Sequence, residues 1–169
     1  MPESIFGLPT HPLVVHATVV IVPLAAIALL LSALVPRFRR WAGILTPVLA
    51  VAALVLDPLS TDSGENLESQ VGGSSLIQQH AEYADGLIFW VIGLTVLALG
   101  YWWFERRAKR SNGATQPSRM VSLAMAVLAV VVVLGTSVQI VLIGHSGAKA
   151  AWSGVATSSS GQGSSGDSD

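Results

Sequence analysis

Four histidines, His11, His16, His80 and His145, are the residues of this chain best suited to chemistry. Imidazole is the commonest protein ligand for transition metals and haem, and an ionisable group close to a membrane core is a functional candidate by default. The chain has no cysteine. That excludes structural disulfides, thiolate-held zinc, cysteine-ligated iron–sulfur clusters and covalently attached haem. Any cofactor must bind through histidine, carboxylate, amide or backbone oxygen. His11 and His16 are five residues apart, which on a regular helix separates them by about 140° around the axis and about 7.5 Å along it. They do not share a face, so the spacing favours pairing each with a histidine from another helix.

The elements that must position these residues are membrane spans. Of 169 residues, 51% are hydrophobic and only 11% charged, against roughly 25% charged in a soluble domain. Four apolar stretches predict helices at about 12–35, 41–59, 86–104 and 120–144. The second reaches spanning length only if Trp41 before it and Pro58 and Leu59 after it extend its apolar part, since a span needs roughly 17–25 residues. The fold class read from this pattern is all-α, an integral membrane four-helix bundle occupying residues 1–152.

Charge orients the bundle. Arg37, Arg39 and Arg40 follow the first span, and Arg106, Arg107, Lys109, Arg110 and Arg119 lie between the third and fourth, which accounts for eight of the nine Lys and Arg. By the positive-inside rule those loops are cytoplasmic, and both termini and the Asp57–Asp85 loop are extracytoplasmic. No cleavable signal peptide is expected, because the first eleven residues carry no Lys or Arg and the following apolar stretch is too long. Trp41, Tyr101, Trp102, Trp103 and Trp152 are expected as interface anchors, whereas Trp90, a turn inside the third span, is expected to pack in the core. Gly93, Gly100, Gly135, Ala50, Ala52 and Ala53 permit close helix approach.

Thr10 suits a helix cap and Pro12 a first turn, with His11 just outside the helix because it precedes a proline. Pro23 is expected to bend the first span. The segment Asp62–Ser75 reads as a polar outer loop, and Ser75-x-x-Gln78 as a capping box that opens a helix running through His80 into the third span. His80 then stands about 9 Å above Gly86. Residues 153–169, almost wholly Ser, Gly and Asp, read as a disordered tail.

All four histidines thus fall in one outer layer. His16 is in the second turn of the first span, His145 ends the fourth, and His80 approaches the third. Asp57, Gln139 and backbone carbonyls are available to orient the rings, as ligating histidines require. Taken singly, each histidine could simply bond backbone or lipid headgroups. Taken together, with none in the cytoplasmic loops or tail, they point to a shared ligand.

The segment Gly7-Leu-Pro-Thr-His11-Pro12-Leu-Val-Val-His16, with Thr61-Asp-Ser-Gly64-Glu65, the lone His80 and Gly144-His145-Ser-Gly-Ala148, resembles the DUF2231 family of small bacterial membrane proteins. The likeness extends over nearly all of the chain up to Trp152. It implies a four-helix membrane domain, found in some relatives beside Rieske-type or cytochrome-type domains, and hence a setting of respiratory electron transfer and haem. No appended redox domain follows the Ser/Gly stretch, so the expected electron partner is a separate protein or a quinone.

Three functions follow as expectations. The first is a b-type cytochrome of the bacterial inner membrane, an electron carrier more than a stand-alone enzyme. It would hold one or two haems through His16, His80 and His145, with His11 completing a second pair, and exchange electrons with a quinol or respiratory partner. The second is a zinc or copper protein using the same histidines with Asp57 or Glu65. The third is an accessory subunit of a larger membrane complex in which the histidines are incidental. No motif points to nucleic acid, and no nucleophile–base pair or phosphate loop appears.

Overall fold

The computed structural model describes residues 4–5, 8–71, 74–111 and 117–160. A two-residue antiparallel pairing of β1 (Ser4–Ile5) with β2 (Leu8–Pro9) leads into an otherwise helical chain. The helices are α1 (Thr10–Leu34), α2 (Pro36–Ala42), α3 (Leu45–Val71), α4 (Ser75–Asp85), α5 (Leu87–Arg110) and α6 (Arg119–Ser160). Four helical stretches are long and apolar enough to cross a membrane: His11–Leu34, Leu45–Gln70, Ser75–Arg110 and Arg119–Trp152. The all-α, four-span architecture expected from the apolar runs is the one observed.

Consecutive spans run antiparallel. α1 packs on α3 and α6, and α5 packs on α3 and α6, which closes a four-membered ring with α1 touching α5 across it. Small side chains fill the centre: Ala25, Ala26, Ala50, Ala53, Ala98 and Ala129 are buried beside Val22, Leu29, Val91 and Leu94. Most large aliphatic side chains, such as Val19, Ile27, Val55, Leu134 and Val141, face outward instead. Lipid is as apolar as leucine, so helices gain by close contact and by bonds between them, not by hiding their greasy faces. Such bonds occur at buried hydroxyls: Thr95 Oγ1 shares its proton between the Val91 carbonyl of its own helix (2.8 Å) and the Ala50 carbonyl of α3 (3.1 Å), and Ser32 pairs with Thr46 (3.1 Å). Gly93 lies against Val132, and Gly100 against Met125.

Several boundaries differ from those the sequence suggests. Trp41 does not extend the second span; it belongs to α2, which Gly43 ends with φ +53°, a left-handed conformation that an L side chain resists. The segment from Asp62 is not a loop as far as Val71 but the continuation of α3, with Pro58 inside the helix. Its polar side chains bond back onto the helix, Asn66 to the Asp62 carbonyl and Ser69 to the Asn66 carbonyl. Polarity marks where this helix leaves the bilayer, not where it stops. The cap of α4 is Ser74, one residue before the expected one, and its Oγ accepts from the Ile77 amide.

Helix α6 continues to Ser160, so the tail boundary expected at Ser153 falls within helical backbone. Residues 161–169 lie outside the described residues. Tyr101, expected at the lipid interface, instead turns inward and is buried, while Trp41, Trp103 and Trp152 are exposed as anchors should be.

Candidate functional site

The ends of α1, α3, α4 and α6 meet in one layer, and two of the four histidines turn into it. His11 lies inside the first turn of α1, not before it. Its Nδ1 is 3.0 Å from Oγ of Ser63, a buried residue on α3. The Ser63 hydroxyl in turn donates to the Ser60 carbonyl at 2.9 Å. Since that proton is committed, Ser63 Oγ accepts from the imidazole, which places the ring proton on Nδ1. The bare lone pair is then on Nε2.

His80 repeats this arrangement on the other half of the chain. Its Nδ1 is 3.1 Å from Oγ of Ser146 and 3.1 Å from the Ile143 carbonyl on α6. Ser146 is buried, and its hydroxyl donates to that same carbonyl at 3.0 Å. The tautomer is again Nδ1–H with Nε2 bare.

In both halves a glycine follows the serine and lies under the ring. A Cβ on Gly64 would come within 3.2 Å of His11 Cε1, and one on Gly147 within 3.1 Å of His80 Cε1. Each half therefore reads histidine on the descending helix and Ser-Gly on the returning one: His11 with Ser63-Gly64, His80 with Ser146-Gly147. The two clamps lie at the same end of the bundle, where α4 packs on both α3 and α6.

The other two histidines do not join them. His16 is exposed, and its Nδ1 bonds the Pro12 carbonyl of its own helix. His145 is exposed beside Ser146. The layer of four thus resolves into an inward pair and two outward rings, because His16 and His145 fall on helix faces turned from the bundle axis.

Other expected partners are engaged elsewhere. Asp57 is buried on α3. Glu65 is exposed. Gln139 does not orient a ring; its Nε2 donates to the Tyr83 carbonyl beside the Gly86 break between α4 and α5. Trp90 packs against Gly135, whose missing side chain makes room for the indole, as the core-packing expectation required. Among the described residues no group of three or more His, Asp or Glu is clustered for a metal ion.

The Ser-Gly dipeptides are the part of the site that sequence reasoning passed over as functional residues. The signal was present: Ser-Gly recurs at the same end of the second and fourth spans, each time one span after a histidine.

A family model described as a predicted membrane protein (DUF2231) matches residues 7–159. No curated protein and no solved structure matches the chain. The matched region takes in His11, Ser63-Gly64, His80 and Ser146-Gly147 together with all four spans, and on that match the chain belongs to the DUF2231 family of predicted membrane proteins.

Proposed function

We propose that this protein is a membrane b-type cytochrome in which His11 and His80 would hold one haem at the histidine-bearing end of the bundle. The observation that carries the reading is the pair of imidazoles whose Nδ1 atoms are each held by a buried serine, and in His80 by the Ile143 carbonyl as well, leaving Nε2 bare on each. Ligating histidines are held in this way, with the far nitrogen hydrogen-bonded so that tautomer and ring plane are fixed. Two protein ligands fall short of the three or four a zinc site takes but suffice for an iron porphyrin, which brings four nitrogens of its own. The absence of cysteine makes the attachment non-covalent.

When bound, haem would supply a one-electron couple suited to electron transfer. The chain's own contribution is positional. Ser63 and Ser146 hold the ring protons at Nδ1, while Gly64 and Gly147 let each imidazole lie against helix backbone. One haem, not two, matches one inward pair. The arginine-bearing end would face the cytoplasm, which puts the haem on the outer side of a bacterial inner membrane, where a quinol-linked or respiratory partner would exchange electrons with it.

The test is a reduced-minus-oxidised absorbance spectrum with iron analysis on protein purified from haem-replete membranes. One haem per chain with bis-histidine bands is expected. Protein isolated without haem bands would contradict the reading and favour an accessory-subunit role.

A further inference from the structure

At the opposite end of the bundle, α2, α5 and the start of α6 enclose a second polar site with no counterpart among the histidines. A cavity of about 430 Å³ opens there, lined by Arg39, Arg40, Tyr101 and Glu105 with Phe104 and Met125 as apolar walls. Its volume falls in the range of small-molecule sites. Arg39 is fixed on three sides: Nε to Glu105 at 3.3 Å, Nη1 to the Ser32 carbonyl at 3.3 Å, and its guanidinium over the Tyr101 ring at 5.4 Å. Two of its five N–H donors are thereby used.

Tyr101 itself is 6% exposed, and its hydroxyl is the one buried side-chain polar atom among the described residues that has no hydrogen-bond partner. Leaving such a donor unmet is costly, and native structures do so where a ligand or water completes the bond. The charged lining of the cavity, two arginines against one glutamate, has an excess of one positive charge. Exposed Trp41 and Trp103, from the same helices, mark the depth as that of the membrane interface.

We propose that this cavity binds the phosphate group of an anionic amphiphile, with the Tyr101 hydroxyl donating to a phosphate oxygen and Arg39 and Arg40 balancing its charge. Arginine presents paired donors to phosphate oxygens, and basic pockets between spans are a recurrent way of holding lipid headgroups. Apolar Phe104 and Met125 suit the first carbons of an acyl glycerol. The site is independent of the haem reading and shares no residue with it.

The test uses the full-length protein in detergent, with binding read by native mass spectrometry and by thermal shift. The probes are phosphatidylglycerol, phosphatidylcholine and inorganic phosphate. Phosphatidylglycerol is expected to bind and to raise the melting temperature, with phosphatidylcholine at least about tenfold weaker because its choline cancels the charge. Tyr101→Phe should weaken the binding at least about tenfold, the worth of a hydrogen bond to a charged group. The same variant should melt no lower than wild type without lipid, since it removes an unmet buried hydroxyl. Arg40→Gln, at an exposed position, should weaken binding without unfolding the bundle. Protection by inorganic phosphate with the same Tyr101 dependence would support the site and assign its ligand to the aqueous phase. Equal binding of phosphatidylglycerol by wild type and Tyr101→Phe, equal binding of the two lipids, or no binding by either anion overturns the proposal.

Discussion

The imidazole of His11 lies directly against Gly64, so closely that a Cβ on that glycine would sit 3.2 Å from Cε1. His80 and Gly147 stand in the same relationship at 3.1 Å, on the other pair of helices. The bundle is thus built from two hairpins of one design, α1 with α3 and α4–α5 with α6, each placing one histidine against a Ser-Gly step of its return helix. Two copies of one clamp stand at one end of the bundle.

Alanine at Gly64 or Gly147 adds a methyl group where the ring already makes contact, and the ring must move by a few tenths of an ångström. Gly147→Ala is expected to lower stability by about 1 kcal/mol, as overpacking does, and to weaken haem retention at the same time. Thermal unfolding in detergent checks the first effect and the haem content of the purified variant checks the second.

The two serines act on the rings and not on the bundle. Ser63→Ala and Ser146→Ala are each expected to fold normally and to lose haem about 10–100-fold more readily, the usual consequence of removing a group that orients a ligand. Ser146→Ala should be the milder, because the Ile143 carbonyl still holds His80 Nδ1 at 3.1 Å. Rates of haem transfer to an acceptor globin measure both.

Glycine is needed for opposite reasons at Gly43 and Gly135. Gly43 has φ +53° and nothing within 4 Å of the position a Cβ would take, so Gly43→Ala costs backbone strain of about 1–2 kcal/mol that no neighbour can relieve. Gly135 is in regular helix, and its alanine variant collides with the Trp90 indole. That variant should lose about 1–3 kcal/mol, and Trp90→Leu should restore part of it. A double-mutant cycle on melting temperatures distinguishes the two, with rescue expected at Gly135 alone.

The bond from Thr95 to the Ala50 carbonyl ties α5 to α3 at the middle of the bundle. Thr95→Val keeps the shape and removes the bond, and its expected cost is only about 0.6 kcal/mol, the average for interhelical bonds in lipid. Unfolding in mixed micelles checks it.

Much of this was legible in the sequence, because a bilayer writes its thickness into the chain as apolar runs. The same reading placed all four histidines at one end. It could not say which way each ring points, since that depends on the rotation of packed helices, and so His16 and His145 were grouped with the inward pair. Hydrophobicity also ended α3 near Leu59, although the helix runs on in water to Val71 and carries Ser63 and Gly64 with it. Tyr101 looked like its neighbours Trp102 and Trp103; it turns inward because it continues the buried stripe of α5 through Val91, Leu94 and Ala98.

The central claim is that His11 and His80, and not His16 or His145, hold the haem. Its most direct test is the reduced-minus-oxidised spectrum of four single variants, His11→Ala, His16→Ala, His80→Ala and His145→Ala, each purified from haem-replete membranes and normalised to protein. The account predicts that the first and third lose the bis-histidine bands while the second and fourth keep them at wild-type intensity. Loss of haem in His16→Ala or His145→Ala with retention in His11→Ala and His80→Ala would contradict it.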